Sequence, residues 1–418
     1  MADQWFHRNP LKATSTLKFD NAKRVCKNND AFKLFEKTNE ERKNLLNILK
    51  NPQNDMKLIE TSWQKYFALY LGFVFNAHKP GQDSPLRNLV PVHWTQSLTG
   101  RITVNTSDGI FELASMLINV AIWHMKRASC LAESGSLTMD DAKDIHKSLR
   151  IAAGLFQFIK ENYAASLTSI TGSCKDTEQQ ILEAYYTQCI SEAEEVTVAR
   201  AIELKHQASV VGGLSYETSK HFQAAATLLS SVNVNYAGKW KKYLVLKSVF
   251  YKACAYGCYS EVLLQKDKCG EAVKFGQEAL QLYNSIESAC REYLRFKGEG
   301  KAARVIDHQF FRKVGTMIKR NLDKANRENG FIYHHRVPAE LPQLDLEAKY
   351  GIVQPESITM PPADEGWTEQ IYASIDAHAY ATTAAQKDTE AVKELPAVAE
   401  VPGKQQSQKS GDSLCIIS

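Results

Sequence analysis

The chain has 418 residues, of which 44% are hydrophobic and 23% are charged. These fractions are typical of a globular protein with a packed core, and they exclude a wholly disordered or collagen-like chain. The 51 basic and 47 acidic residues leave a formal net charge of +4, a surplus too small to indicate a nucleic-acid partner, so none is expected.

The N-terminal stretch MADQWFHRNP contains no apolar run of the kind that a secretory signal requires. No uncharged stretch further along is long enough to span a bilayer, so a cytosolic protein is expected.

The segment from Lys12 to Phe19 alternates β-favouring residues. It predicts a strand of a small N-terminal sheet.

Proline marks the boundaries of a long helical block. All twelve prolines lie at or before Pro91 or at or after Pro338. A helix interior is where proline is most costly, because proline removes a hydrogen bond and clashes with the preceding turn. The proline-free stretch between these two positions therefore predicts nearly continuous helix, within one domain over residues 1–380.

Helix caps and hydrophobic periodicity divide the proline-free stretch into separate helices. Asp108 caps a helix that is apolar on most sides, which predicts a central position, and Thr138 with Asp141 forms a capping box for the next helix. The spacing around residues 250–285 resembles one helix pair of the tetratricopeptide type. Further helices are predicted at about 176–207, 209–230, 239–266, 268–297 and 303–328.

The C-terminal region differs in composition. Aromatic residues vanish from Ala385 to Leu414 while Lys, Glu, Gln, Ser, Pro and Ala dominate, which predicts a disordered linker over residues 381–414. The last four residues, 415–418, read Cys-Ile-Ile-Ser and fit the C-a-a-X prenylation motif, with a terminal serine that favours farnesyl on Cys415. One lipid chain gives only marginal membrane binding, so a second contact is expected.

No catalytic motif accompanies this organisation. P-loop, GxGxxG, HExxH and GxSxG patterns are absent, so we expect no enzyme and no cofactor besides the lipid; an unrecognised enzyme is the less favoured alternative. Cys254 and Cys258 could in principle join His308 or the His334–His335 pair as metal ligands. Structural zinc sites show tighter paired spacing, so core cysteines and surface histidines are the favoured interpretation.

One helix near residue 210 has a divided apolar face. A first stripe stays small or apolar for five turns, as a buried face should. It consists of Val211, Ser215, Thr218, Phe222, Ala225 and Leu229. A neighbouring stripe begins with Val210 and Leu214 and turns polar at Glu217 and His221. This second stripe is either the edge of the core or an exposed patch able to accept an apolar partner helix.

Four segments resemble the BRO domain family of ESCRT adaptors. They are residues 5–14 (WFHRNPLKAT), 146–154 (HKSLRIAAG), 195–206 (EVTVARAIELKH) and 330–333 (GFIY). The resemblance covers nearly the whole chain. It implies a mainly all-α fold: a curved, banana-shaped BRO domain with a tetratricopeptide-like helical core and a small β-sheet.

The resemblance also implies a function. In this family an apolar patch on the concave face binds the C-terminal helix of an ESCRT-III subunit of the charged multivesicular body protein class. The patch positions fall on Val210 and Leu214, with Lys143 and Arg200 at flanking basic positions. Thr197 stands where Alix-type domains place an aromatic residue, so the patch is expected to be less apolar here.

The expected protein is thus a farnesylated, monomeric, non-enzymatic adaptor that meets ESCRT-III subunits. Its expected location is the cytosol and the cytoplasmic face of membranes, with endosomal and nuclear-envelope membranes as candidates. The alternative is a helical scaffold that links membranes or the nuclear envelope to a partner outside ESCRT-III.

Overall fold

The computed structural model describes residues 5–133, 138–168, 176–348, 351–376 and 395–401. Cys415 and the rest of the prenylation motif lie outside this set. The helices are α1 (Asp20–Val25), α2 (Asn29–Ile48), α3 (Met56–Val74), α4 (Gly109–Ala132), α5 (Met139–Asn162), α6 (Gln179–Glu203), α7 (Ala208–Leu228), α8 (Val234–Leu264), α9 (Cys269–Arg295), α10 (Gln309–Glu328) and α11 (Glu369–Ala373). The strands are β1 (Val92–Gln96) and β2 (Gly100–Thr106), and short 3₁₀ or π turns occupy Leu229–Ser231, Val305–Asp307 and Asn329–Tyr333.

From Gly109 onward the proline-free block forms helices α4 to α10, each packed against the next, which confirms the predicted helical core there. The prediction of helix is wrong for residues 92–106, which form strands β1 and β2. Both predicted caps are present. The Asp108 carboxylate accepts from the Ile110 amide at 2.9 Å, and Thr138 and Asp141 exchange bonds of 3.1 Å in a capping box. Helix α4 is buried along nearly its whole length, as its all-round apolar pattern predicts.

The sheet does not lie where the sequence placed it. Strands β1 and β2 form an antiparallel hairpin, whereas the predicted strand at residues 12–19 contributes one bridge, from Thr14 to Trp94 of β1. That prediction is wrong because the N-terminal segment runs through the interior as extended chain. Ala13 and Thr14 hydrogen-bond to β1, whereas the Lys12 amide donates to the Asn119 side chain of α4 at 2.8 Å.

Cations of the N-terminal segment are buried beside carboxylates. The Arg8 guanidinium lies 2.8 Å from Glu192 of α6 and also donates to the Met125 carbonyl at 2.6 Å. The Lys12 ammonium lies 3.4 Å from Asp176 and 3.1 Å from the Ser115 hydroxyl. A buried charge without a partner is strongly destabilising, so these pairs fix the path of the segment through the core.

A third buried pair joins α6 to α8. The Lys247 ammonium lies 2.6 Å from Glu195, whose other carboxylate oxygen accepts from the Trp5 indole at 3.1 Å. The same ammonium lies 3.6 Å from the centre of the Trp5 ring, a cation–π contact. Burial raises the pKa of Glu195 to about 7 and lowers the pKa of Lys247 to about 8. Each charge therefore depends on the other.

An extended segment after α10 crosses the helices. This strap comprises residues 336–348 and 351–367 and passes α9, α8, α7, α6, α5, α3 and α2 in turn. The Arg150 guanidinium of α5 donates to the Gln354 carbonyl at 2.6 Å, and the Glu356 amide donates back to the Arg150 carbonyl at 3.0 Å. The Trp367 indole donates to the Leu69 carbonyl at 2.7 Å. The strap therefore ties both ends of the helical stack together.

Part of the predicted linker is docked on this domain. Within residues 395–401, Glu400 lies 2.9 Å from Lys126 of α4, and the Val401 amide donates to the Lys50 carbonyl at 3.0 Å. Burial lowers the pKa of Lys126, and the Glu400 carboxylate offsets that loss. The prediction of disorder is therefore wrong for these seven residues, and the other linker residues lie outside the described set.

Among the helices described, none is both long and apolar enough to cross a membrane.

The Glu195–Lys247 pair gives a first testable prediction. Lys247→Met leaves a buried carboxylate without its cation and should cost about 3–5 kcal/mol of unfolding free energy. The double variant Lys247→Met/Glu195→Gln removes both charges and keeps an acceptor for Trp5, so most of that loss should be recovered. Denaturant unfolding measures both values. A single variant as stable as the native protein would contradict the paired-charge interpretation.

Candidate partner-binding site

Helices α6 and α7 carry most of the candidate site, and a tight turn sets their geometry. The His206 amide donates to the Ala201 carbonyl at 2.9 Å, while Lys205 takes a left-handed conformation with φ of +55°. This bonding closes the C-terminal end of α6 and satisfies one of its terminal carbonyls. Helix α7 then begins at Ala208, which returns the chain alongside α6.

The two helices bring Thr197 and Leu214 together, but neither forms an open patch. Leu214 is only 5% exposed, and Thr197 and Val210 are half-buried. The interpretation of the stripe as an exposed patch is therefore wrong at Leu214. The physical reason is the strap, since residues 346–348 lie directly over Gly212 and Gly213 of α7 and Gly351 lies over Leu214.

Glycines allow the strap to approach so closely. A Cβ placed on Gly213 would lie 2.5 Å from the Glu347 carbonyl oxygen, and one on Gly212 would lie 3.3 Å from the Leu346 side chain. In the strap, Gly351 takes a φ of +77° and fits over Leu214 and the methyl group of Thr197. The absence of side chains at these glycines thus creates the contact that covers Leu214.

The deeper stripe of α7 is buried throughout, as predicted, and the polar end of the second stripe has a cause. His221 lies 2.9 Å from Glu194 of α6 and 3.6 Å from Glu217. Burial raises the pKa of Glu194, and the hydrogen bond that His221 donates to Glu194 raises the pKa of His221. The stripe turns polar because it faces a buried carboxylate that needs a partner.

The two basic positions lie on neighbouring helices, Arg200 on α6 and Lys143 on α5. Arg200 pairs with Glu203 and lines a cavity of about 400 Å³, together with Ala142 of α5, Trp5 and other residues. Lys143 is adjacent to Ala142 in the chain, is exposed, and lies 3.4 Å from Asp140. The basic residues therefore flank the α5–α6 groove, beside the surface that the strap covers.

Sequence reasoning missed an apolar residue of the strap. Ile352 follows Gly351 directly and is 61% exposed, so its side chain lies on the outside where Leu214 is covered. No periodic pattern marks Ile352, because the strap is extended and runs through a proline-containing region. The exposed apolar surface at this site is therefore shared between Val210 of α7 and Ile352.

The residues considered as metal ligands do not converge. Cys254 and Cys258 are buried in α8, where the Ser215 hydroxyl donates to the Cys254 sulfur at 3.3 Å. His308 caps α10 through a 3.2 Å bond from the Phe310 amide. Within the part of the chain that the structure describes, no three His, Cys, Asp or Glu side chains are placed to hold a metal ion.

The geometry can be compared with known proteins. The model of the BRO1-like domain family matches residues 28–388. BRO1 domain-containing protein BROX from Homo sapiens is 42% identical over 372 residues, which cover 89% of this chain and 90% of the relative. The BROX homolog of Caenorhabditis elegans is 34% identical over 384 residues, with 89% of each chain covered.

Solved structures agree on the fold. A structure described as the ALIX BRO1 CHMP4C complex superposes with a TM-score of 0.61 at 17% identity and covers 87% of this chain and 98% of the solved one. A second, described as the structure basis for endosomal targeting by the Bro1 domain, gives a TM-score of 0.60 at 20% identity, with 92% and 99% covered. The fold is that of the curved, helical BRO domains.

The chain belongs to the BRO1 domain family. Within that family it is most informative to compare it with BROX, because the match to BROX spans both chains almost end to end. The larger relative Programmed cell death 6-interacting protein of Rattus norvegicus is matched over only 27% of its own length, at 26% identity.

The contact between the strap and Gly213 can be tested by measuring the stability of a variant. Replacing glycine with alanine inside a helix normally raises stability by about 1 kcal/mol. At Gly213 the new methyl group meets the Glu347 carbonyl, so Gly213→Ala should instead lower the unfolding free energy by about 1–3 kcal/mol. Gly330→Ala is the control, because no atom lies within 4 Å of a Cβ there. Denaturant unfolding of both variants checks the sign; a stabilised Gly213→Ala protein would place the strap elsewhere.

Proposed function

We propose that this chain is a non-enzymatic adaptor that binds the C-terminal helix of an ESCRT-III subunit of the charged multivesicular body protein class. The observation that supports this most is the shared fold with a BRO1 domain solved together with CHMP4C. The family membership supports the adaptor class, and the α6–α7 surface supplies a place for the helix.

The proposed binding surface has two layers. Val210 and Ile352 contact the partner helix, while Leu214 lies beneath Gly351 and supports the strap from below. Val210 and Leu214 are one helical turn apart, so the outer and inner contacts lie close together. This arrangement compensates for Thr197, which is too small and polar to supply the aromatic contact of Alix-type domains.

Basic residues beside the apolar surface favour one orientation of the bound partner helix. Arg200 and Lys143 border the α5–α6 groove beside the apolar surface and can pair with acidic residues of an amphipathic helix. Charges at the rim of an interface mainly speed association and exclude wrong partners. Apolar burial at Val210 and Ile352 therefore supplies most of the affinity, as in other complexes where a helix docks on an apolar surface.

The second part of the proposal is membrane attachment through farnesyl on Cys415. The C-terminal Cys-Ile-Ile-Ser sequence supports it, and so does the chain length that precedes it. Val401 is held on the domain, and the residues from there to Cys415 can span at most about 45–50 Å when fully extended. The anchor would thus keep the domain within that distance of the cytoplasmic face of a membrane, endosomal or nuclear-envelope membranes included.

Two charge substitutions separate binding from folding. Ile352→Asp should weaken binding of an ESCRT-III C-terminal helix more than tenfold, because an unpaired carboxylate in a small interface costs about 2 kcal/mol or more. Its exposed position should leave the unfolding free energy unchanged. Leu214→Asp buries the charge under the strap, so it should lower both stability and affinity.

Peptide titration and circular dichroism measure these effects, with Val234→Asp, at an exposed valine of α8, as the control. A folded Ile352→Asp protein that binds as tightly as the native chain would remove Ile352 from the site. A native chain that binds none of the ESCRT-III C-terminal helices would favour the alternative, a scaffold for a different partner.

Loss of the lipid should change location and leave the fold intact. Cys415→Ser removes the thiol that accepts the farnesyl group, so the protein should shift from the membrane fraction to the soluble fraction of eukaryotic cells. Thermal unfolding should match that of the native chain. Intact-mass measurement is the direct check, and a native protein without a prenyl mass increment would refute this part of the proposal.

A further inference from the structure

Helix α10 concentrates positive charge on one side. It contains six basic and two acidic residues, a surplus of four that equals the surplus of the whole chain. The remainder of the protein is therefore neutral overall. The basic residues are Arg312, Lys313, Lys319, Arg320, Lys324 and Arg327. Acidic residues of α10 therefore balance only two of its six cations.

These cations lie opposite the buried face of α10. The buried positions recur with helical spacing from Phe311 to Ala325, and all six basic residues are exposed. The guanidinium of Arg312 donates to the Asp307 carbonyl and that of Arg327 donates to the Asp323 carbonyl, so neither contact neutralises a charge. The face, about 30 Å long, is open to an anionic surface.

Two large apolar side chains protrude at the end of this face. Phe331 is 82% exposed and Ile332 is 67% exposed, in the π turn that directly follows α10. Phe331 comes four residues after Arg327, a spacing that places both on one side of the helix. We name these two residues the apolar tip.

Hydrogen bonds hold the apolar tip in place. The Tyr333 hydroxyl donates to Asp267 at 2.6 Å, which fixes the turn to the loop between α8 and α9. The side chain of Asn329 accepts from the His335 amide at 2.9 Å and donates to the His335 carbonyl at 3.0 Å. The turn is therefore built to present Phe331 and Ile332 outward.

We propose that the α10 face and the apolar tip form a docking surface for membranes that contain anionic lipids. The basic side chains attract phosphate and carboxylate headgroups, and Phe331 and Ile332 enter the interface between headgroups and acyl chains. Charge complementarity selects this occupant. A nucleic acid would leave the apolar tip unused, whereas a basic face beside protruding apolar side chains is the combination found in proteins that lie on a membrane surface.

Docking through this surface requires neither the proposed farnesyl group nor ESCRT-III. The test therefore uses Cys415→Ser protein, which cannot carry the farnesyl group. It should sediment with vesicles of phosphatidylcholine containing 30% phosphatidylserine and bind pure phosphatidylcholine vesicles at least tenfold more weakly. In that background Phe331→Ser/Ile332→Ser should reduce binding about tenfold. Lys319→Gln/Arg327→Gln should reduce it about fivefold or more, with a weaker dependence on salt.

Matched controls separate local from general effects. Lys43→Gln/Lys57→Gln makes the same change in net charge on α2 and α3, and Val234→Ser removes another exposed apolar side chain. Both should bind within twofold of the parent protein, with native circular dichroism for every variant. Equal binding to both vesicle types, or surface variants that bind as well as the controls, overturns the proposal. Binding to mixed-sequence RNA but not to vesicles overturns it in favour of a nucleic-acid surface.

Discussion

Buried carboxylates on α6 are the constraint on which the rest of the structure depends. Glu192, Glu194 and Glu195 are at most 2% exposed, and each needs a partner from a different part of the chain. Arg8 comes from the N-terminal segment, His221 from α7 and Lys247 from α8. Because a buried charge is tolerated only when it is paired, these three contacts fix the N-terminal path and the register of two helices against α6.

The strap makes the proposed binding surface a composite of helix and extended chain. Helices alone would leave the Val210–Leu214 stripe open, but the returning chain covers Leu214 and presents Ile352 in its place. The site therefore depends on residues more than 130 positions apart in sequence. The affinity of the proposed site for a partner would be coupled to how firmly the strap is held, and Tyr259 of α8 and Arg150 of α5 hold the strap on either side of α6.

Buried cations and exposed cations have different roles in this protein. Interior cations such as Arg8 and Lys247 are matched to carboxylates, whereas the cations of α10 face solvent. Interior pairs specify the fold, while the exposed charges of α10, of which only Lys324 lies near a carboxylate, that of Glu328 at 3.7 Å, among the ion pairs of the described residues, can act on a surface outside the molecule. A weak lipid anchor, a helix-binding surface and a basic face with an apolar tip would each be insufficient alone and would together give stable residence at a membrane.

The sequence by itself determined the helical class, the helix boundaries of the core and the caps at Asp108 and Thr138, because periodicity, proline exclusion and capping are local effects. It also indicated that the stripe of Val210 and Leu214 differs from its buried neighbour. Only the tertiary structure decided that Leu214 is covered, that the sheet lies at residues 92–106 and that residues 395–401 dock on α4. The physical reason is that extended segments have no periodic signature, and their positions follow from glycine clearances and buried ion pairs between residues far apart in the chain.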